Sequence, residues 1–462
     1  MATPKLATES FYHLQERIEQ ARAQTDSLFA LLRPDAIYDR SIPERHRLIF
    51  YLGHLESFDW NLLGRDTFGL ASIHAAFDKL FAFGIDPVDG QFPSDQPADW
   101  PGVAEIQAYN RNLRETIDAA VRAPSSRLAA EASGTSLDTL LNVAIEHRLM
   151  HAETLAYLLH QLPLEKKAAQ RILSARALEA PASQTVAPRT SAIPEGEATL
   201  GIQRDRGQFG WDNEFEELKV AVPQFSIGVF PVTNGEYLQF VRSGGYENKA
   251  HWSADDWQWL TTQRISCPLF WERAKADNRS GRGNDIGGWN YRGMFAQIPL
   301  PLDWPVYVSH AEASAYARWA KRALPSEAQW HRAAYGNVSG AQESERLYPW
   351  GASAPTTDRG NFDFTHWDPT PVNAHPGGQS AFGVHDLLGN GWEWTSTPFA
   401  PFPGFKAFPF YPGYSANFFD GKHFVMKGGS QRTAACMLRR SFRNWFQPHY
   451  PYVYAKFRTV EE

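Results

Sequence analysis

Hydrophobic positions recur at three- and four-residue spacing along residues 1–165, with Ala, Leu, Glu and Arg between them. This period is typical of amphipathic helices whose apolar faces pack together. It predicts helices over 10–32, 45–63, 69–83, 106–122 and 136–162. Turn signals such as Asp86-Pro87 separate these segments. The pattern therefore predicts a small antiparallel helix bundle.

The pattern changes near residue 178. Helical character continues over 165–178, and the stretch 180–193 then supplies Pro, Ser, Thr and Ala with almost no large apolar side chain, as linkers do. Further on, periodic segments are short, Gly, Pro and Trp are frequent, and only 311–321 and 326–335 have a helical period. We therefore predict an α+β protein with a bundle over 1–178, a linker over 179–192 and a loop-rich domain over 193–462.

Composition and charge exclude several classes of function. The chain has 462 residues, of which 43% are hydrophobic and 14% aromatic, so it has a large globular core. Lys and Arg number 45 against 51 Asp and Glu, without a basic stripe, so we expect no nucleic-acid partner. Because residues 1–33 lack the apolar core of a signal peptide and no long apolar run follows, we expect a soluble cytoplasmic protein without a membrane partner.

Two histidines in the last predicted bundle helix have the spacing of metal ligands. His147 and His151 are four residues apart, so their rings project from one helix face about one turn apart. His160 lies nine residues beyond His151 and points the opposite way, which favours a structural role. The best third candidate is His54, on an apolar face where an unpartnered imidazole would cost desolvation energy.

Three histidines without cysteine suit Fe(II), Zn(II), Ni(II) or Cu(II), and leave coordination positions open for substrate and O2. The alternative is that His147 and His151 are ordinary hydrogen-bonded residues of a bundle helix. The only cysteines, Cys267 and Cys436, are too few for a thiolate metal site or a disulfide framework.

Several motifs resemble one known family in the family's order. Those of the bundle are Gly-His-Leu at 53–55 and the segment 147–155; those of the second domain are 193–197, 225–228, 231–237, 324–330, 388–395 and 441–445. They resemble the hercynine-dependent non-heme iron sulfoxide synthases of ergothioneine biosynthesis. These enzymes join a DinB-like helix bundle to a C-type-lectin-like domain of the formylglycine-generating-enzyme type.

The resemblance implies that His54, His147 and His151 bind Fe(II) at the interface of the two domains. It implies O2-dependent attachment of a chalcogen to the imidazole C2 of hercynine, the trimethylated betaine of histidine. Formylglycine generation in the parent family relies on a cysteine pair near the end of the domain. Here the stretch after 428–430 offers Cys436 alone, so oxidation of a protein cysteine is disfavoured.

The resemblance also implies a substrate site in the second domain. A trimethylammonium cannot donate conventional hydrogen bonds, so its site should be rich in aromatic side chains. By family position, Asn444 and Trp445 line that end of the site, with Tyr414 beside them. Tyr411 falls where some members place a tyrosine that donates a proton; the alternative is a packing tyrosine in an aromatic-rich loop.

The chalcogen donor is indicated by departures from the sulfur-using members. Those that use γ-glutamylcysteine carry an acidic residue and an arginine where this chain has Phe446 and Tyr450, which leaves no charge partners for such a donor. Members that use free cysteine share the ending at 448–452 but carry a tyrosine pair that 77–83 lacks.

Segments 81–87 and 299–307 are most similar to a third branch, selenoneine synthase, which couples hercynine to a selenosugar. A sugar donor favours aromatic stacking and neutral hydrogen bonds, in agreement with Phe446 and Tyr450 as donor contacts. The leading expectation is therefore an Fe(II) enzyme that joins hercynine to a selenosugar. The alternatives are a sulfoxide synthase that uses cysteine or another thiol, and a non-catalytic ligand-binding module.

Overall fold

A computed structural model describes residues 11–82, 93–168, 185–204, 207–274, 288–337 and 345–461. The chain divides into two compact units. The first comprises Met1–Ala177 with Gly207–Phe209, and the second comprises Leu178–Arg206 with Gly210–Glu462.

The described part of the first unit is a helix bundle. Its helices are α1 (Phe11–Phe29), α2 (Leu48–Asp59), α3 (Ala75–Leu80), α4 (Val103–Arg122), α5 (Ser126–Ala132) and α6 (Leu137–Gln161). A π-helical stretch, Trp60–Arg65, continues α2. Helix α1 packs along α6, and α2 packs against α4 and α6. The three- and four-residue spacing of buried positions on α4, from Ile106 to Val121, is the predicted amphipathic pattern.

Two bundle elements differ from the sequence prediction. Helix α3 is much shorter than the predicted 69–83, because Gly69 adopts a left-handed conformation (φ +64°) and the His74 side chain caps the helix by accepting from the Phe77 amide. Helix α5 lies between two predicted helices, where we predicted none. Of the helical continuation predicted over 165–178, residues 169–178 lie outside the described part of the chain.

The second unit contains all the strands that the structure describes. They are β1 (Thr190–Ile193), β2 (Gly196–Leu200), β3 (Leu218–Val222), β4 (Phe225–Gly228), β5 (Trp271–Arg273), β6 (Trp289–Arg292), β7 (Gln297–Pro299), β8 (Trp392–Pro398), β9 (Phe424–Lys427), β10 (Asn444–Phe446), β11 (Ala455–Lys456) and β12 (Val460–Glu461). The helices are α7 (Asn234–Arg242), α8 (Ala254–Gln263), α9 (His310–Trp319) and α10 (Glu327–Tyr335). The predicted α+β class is thus confirmed.

The strands form four small sheets. Their orders are β1-β4-β12, β10-β9-β8-β11, β2-β3 and β5-β6-β7. In the four-stranded sheet, β10 is an edge strand that pairs antiparallel with β9, with Trp445 opposite Val425. Of the predicted linker, residues 190–192 belong to β1, and residues 179–184 lie outside the described part of the chain.

Helices α7 and α8 were not predicted, although their capping signals stand in the sequence. Thr233 and Glu236 form a capping box at the start of α7, and the Ser253 side chain accepts from the Asp256 amide at the start of α8. Gly and Trp are frequent around these two helices, and they interrupt the three- and four-residue spacing of apolar positions by which a helix is predicted. None of the described helices is both long and apolar enough to cross a lipid bilayer.

Candidate functional site

Helices α2 and α6 bring the three predicted histidine ligands together. One ring nitrogen of each of His54, His147 and His151 lies within 4.8 Å of the other two. His54 and His147 are buried, and His151 is partly exposed. The four-residue spacing on α6 places the last two on one helix face, as the sequence predicts. His160 is also fully buried, but it does not belong to this group of nitrogens.

A backbone carbonyl fixes the orientation of the His54 ring. Nδ1 of His54 lies 3.0 Å from the carbonyl oxygen of Phe81, so Nδ1 carries the proton and Nε2 is left to bind a metal. The ring also stacks on Phe50, with centroids 5.0 Å apart. Phe81 itself packs on Gly53, where an added Cβ would lie 2.6 Å from three carbons of its ring. Sequence reasoning missed this support because a backbone acceptor leaves no side-chain signal.

Burial keeps the three histidines neutral. It lowers the pKa of His54 to about 4, and it lowers the pKa values of His147 and His151 well below their usual range, with a further contribution from the neighbouring histidines. Nδ1 of His147 and Nδ1 of His151 are buried without a hydrogen-bond partner among the described residues. Neutral imidazole is the form that binds metal, so no proton has to be displaced near neutral pH.

These residues fit a divalent transition metal. Nitrogen ligands lie about 2.1 Å from such an ion, so neighbouring ones in tetrahedral or octahedral geometry are about 3.0–3.4 Å apart. The three nitrogens, which lie within 4.8 Å of one another, therefore need to approach by at most about 2 Å. The donor set is all nitrogen, which suits Fe, Zn, Cu or Ni better than Mg or Ca. Three protein ligands on two helices leave further coordination positions for substrates.

A second cluster, in the other unit, contains the predicted tyrosines and Trp445. The Trp445 ring stacks on Phe399 with centroids 4.1 Å apart and an interplanar angle of 7°. Tyr414 meets Trp445 edge to face at 5.5 Å, and Trp211 stacks on Tyr414 at 4.0 Å. Trp211 and Phe399 were not predicted, because they come from loops distant in sequence. We call this set, with Tyr411, the Trp445 cluster.

Tyr411 joins the Trp445 cluster through Tyr414, whose ring lies 5.5 Å away. Burial and the neighbouring Asp212 carboxylate raise the pKa of Tyr411 to about 12, so the phenol keeps its proton at neutral pH. Asp212 is fully buried and accepts a hydrogen bond from Ser415, which in turn accepts one from the Asn213 amide at 3.0 Å.

The remaining predicted contacts form a separate group. Phe446 and Tyr450 stack with centroids 5.1 Å apart and an interplanar angle of 10°. Side chains alternate between faces along a strand, so Asn444 and Phe446 lie on the face of β10 opposite to Trp445. The loop after β10 is held by His449, whose Nε2 lies 2.8 Å from Asp256 Oδ1 of α8.

Comparisons with known proteins agree with this two-part organisation. The DinB superfamily matches residues 17–155, and the sulfatase-modifying factor enzyme 1-like domain matches residues 175–462. Hercynine oxygenase of Mycolicibacterium thermoresistibile is 32% identical over 458 residues, which cover 96% of this chain and 95% of that protein. Hercynine oxygenase of Mycobacterium tuberculosis is 38% identical over 264 residues, 56% of this chain and 58% of that protein.

A fungal relative is longer. Ergothioneine biosynthesis protein 1 of Neurospora crassa is 27% identical, and the match covers 94% of this chain but 56% of that protein. The predicted DinB-like bundle and formylglycine-generating-enzyme-type domain are therefore confirmed. With a family model over more than half of the chain and a 32% identical relative matched almost end to end, this chain belongs to the ergothioneine sulfoxide synthase family.

Proposed function

We propose that this chain is a mononuclear Fe(II), O2-dependent enzyme that joins the imidazole C2 of hercynine to a selenosugar. The observation that carries the proposal is the set of three histidines whose ring nitrogens lie within 4.8 Å of one another. The relatives named hercynine oxygenase support hercynine as the substrate. Fe(II) held by these histidines would bring hercynine, donor and O2 into contact and supply electrons to O2.

The atoms of the reaction balance with O2 as the only oxidant. The C2–H bond of the imidazole and the Se–H bond of the donor break, and a carbon-selenium bond forms. One oxygen atom of O2 ends on selenium, and the other leaves as water with the two hydrogens. A thiol donor gives the corresponding sulfoxide by the same balance.

We propose that the Trp445 cluster binds the trimethylammonium of hercynine. Stacked and edge-to-face rings present π faces that attract a cation which cannot donate hydrogen bonds. Tyr411 would donate a proton during the reaction, because its phenol is held protonated beside Asp212. Asn444 projects from the opposite face of β10, and its Oδ1 accepts from the Trp445 backbone amide at 2.9 Å, so it would hold the backbone beside Trp445 rather than contact the trimethylammonium.

We propose that Phe446 and Tyr450 contact the donor. Both rings are partly exposed and uncharged, so they suit a neutral sugar better than a donor with two carboxylates and an ammonium. The second candidate is a thiol donor, which the relatives named for ergothioneine biosynthesis favour.

A donor series tests the proposal. The protein is reconstituted anaerobically with Fe(II) and incubated with hercynine, O2 and either a selenosugar, cysteine or γ-glutamylcysteine. Mass spectrometry then detects hercynine linked through C2 to the donor. We expect product with the selenosugar. Turnover with the thiols but not with the selenosugar would refute the selenosugar as donor and support the sulfoxide synthase. The absence of every product in the iron-loaded protein would overturn both candidates.

A further inference from the structure

A buried charge cluster links the two helices that carry the candidate ligands. Arg148 is 1% exposed, Glu56 1% and Asp59 3%. The Arg148 guanidinium donates from Nη1 to Glu56 Oε1 and from Nη2 to Glu56 Oε2, both at 2.9 Å, and from Nη2 to Asp59 Oδ2 at 2.7 Å. Arg148 belongs to α6, and both carboxylates belong to α2.

The cluster lies next to the histidines along the chain. Arg148 directly follows His147 in the sequence. Its Nη2 also donates to the carbonyl oxygen of Leu55 at 3.0 Å, and Leu55 directly follows His54. The Arg148 guanidinium therefore binds two side chains and one backbone carbonyl of α2. Arg148 is adjacent in sequence to His147, and the carbonyl that it binds belongs to the residue next to His54.

Glu56 is held from its other side as well. Arg114 of α4 donates from Nε and Nη2 to Glu56 Oε1 at 3.0 and 2.6 Å. The carboxylate thus has little freedom to move, and neither has the Arg148 fork that binds both of its oxygens. A two-pronged guanidinium-carboxylate pair fixes distance and orientation together, which a single ammonium or an apolar contact does not.

Burying such ions is not an efficient way to stabilise a bundle. Apolar residues of similar volume are often as stabilising as a buried ion pair, whereas a buried ion pair specifies one geometry. Metal ligands require such a geometry, because their positions must be held to about 0.5 Å. We call Arg148 with Glu56 and Asp59 the Arg148 clamp. It lies where this precision is needed, between the helix of His54 and the helix of His147 and His151.

We propose that Arg148 is a positioning residue, which sets the spacing and rotation of α2 against α6 so that the three histidines can share one metal ion. The inference rests on the proposed function, since it concerns the same metal site. It assigns to Glu56 and Asp59 the role of holding Arg148, and not of binding the metal.

The test measures metal binding rather than turnover. Co(II) is titrated anaerobically into the wild-type chain, Arg148→Met, Arg148→Lys and Glu56→Gln, and affinity is recorded with the visible absorption spectrum, which reports coordination geometry. Arg22→Met is the matched control, because Arg22 is a buried arginine of α1 that binds Asp118 of α4 at 2.9 and 3.0 Å. Circular dichroism and denaturant unfolding compare the folds.

We expect Arg148→Met to weaken Co(II) binding about 10- to 100-fold and to change the spectrum, as loss of support around metal ligands does elsewhere. Arg148→Lys and Glu56→Gln should give intermediate losses with the bundle folded, so the test stands even where Arg148→Met does not fold. Arg22→Met should keep the wild-type spectrum.

Wild-type affinity and spectrum in both Arg148→Lys and Glu56→Gln would overturn the clamp and leave the proposed function intact. An equal loss of affinity in Arg22→Met would also overturn it, because the effect would then be general destabilisation. Failure of the wild-type chain to bind Co(II) or Fe(II) would refute the metal site itself.

Discussion

The contact between Gly53 and Phe81 offers a sharp test of how the metal site is supported. In Gly53→Ala the new Cβ would lie 2.6 Å from three ring carbons of Phe81, whereas carbon atoms in contact normally lie about 3.5–4.0 Å apart. The ring must therefore move by about 1 Å. It is fully buried and ringed by aromatic side chains, namely Phe50, Phe77, Trp100 and Tyr109.

The expected effect falls on metal affinity more than on stability. Overpacking costs about 1–3 kcal/mol, and the better helix propensity of Ala over Gly offsets about 1 kcal/mol of it. Displacement of the Phe81 carbonyl, 3.0 Å from His54 Nδ1, breaks the bond that orients the ring. Loss of such support lowers metal affinity about 10- to 100-fold, or roughly 1.4–2.7 kcal/mol.

Anaerobic Fe(II) or Co(II) titration measures this loss, and Gly64→Ala is its control. A Cβ at Gly64 would lie 2.6 Å from the Trp60 ring, a similar overlap in the same unit. We expect Gly64→Ala to bind metal normally, and Gly53→Ala combined with Phe81→Leu to recover affinity because the smaller side chain relieves the overlap. Unchanged metal affinity in Gly53→Ala, or an equal loss in Gly64→Ala, would show that the Phe81 contact does not support the metal site.

Three further predictions concern His151, the proposed donor contacts and His310. His151→Ala should abolish turnover while leaving the circular dichroism of the bundle unchanged; retained activity would refute its role as a ligand. Phe446→Asp combined with Tyr450→Arg should raise turnover with γ-glutamylcysteine relative to the selenosugar, measured by mass spectrometry of competing donors; an unchanged ratio would exclude these positions from donor selection. Burial lowers the pKa of His310 to about 4, so protonation of this ring favours the unfolded chain. The contribution of His310 to stability should be level above pH 6.5 and fall by roughly 3 kcal/mol towards pH 4, in addition to the losses from the other buried histidines. In denaturant unfolding, His310→Gln should lose this part of the slope.

The helical unit could be predicted well from the sequence because its signal is local. Apolar periodicity gave α1, α2, α4 and α6, and the four-residue spacing of His147 and His151 placed them on one face. The pairing of α2 with α6 could not be derived from spacing, so His54 depended on its apolar face and then on family resemblance. The Arg148 clamp has a signal in the local sequence, because Glu56 and Asp59 are charged residues within an otherwise apolar, buried helix.

In the second unit, only the class and the helices α9 and α10 could be predicted. Its strands have 2–7 residues, too short for a two-residue alternation to stand out. The partners of Trp445 come from separate loops: Trp211 precedes β3, and Phe399 follows β8. Contacts of this kind depend on tertiary packing rather than on local pattern. Of segment 81–87, which is similar to the selenoneine branch, only residues 81 and 82 lie in the described part of the chain.

O2 uptake reports directly on whether hercynine is oxidised at the three-histidine site. The Fe(II)-loaded chain and His151→Ala, treated alike, are placed in an oxygen electrode with hercynine and selenosugar, and each substrate is omitted in turn. We expect rapid uptake by the wild-type chain only when hercynine is present, with one O2 consumed for each hercynine converted, and no uptake by His151→Ala. Uptake that is indifferent to hercynine, or equal in His151→Ala, would contradict the proposed function.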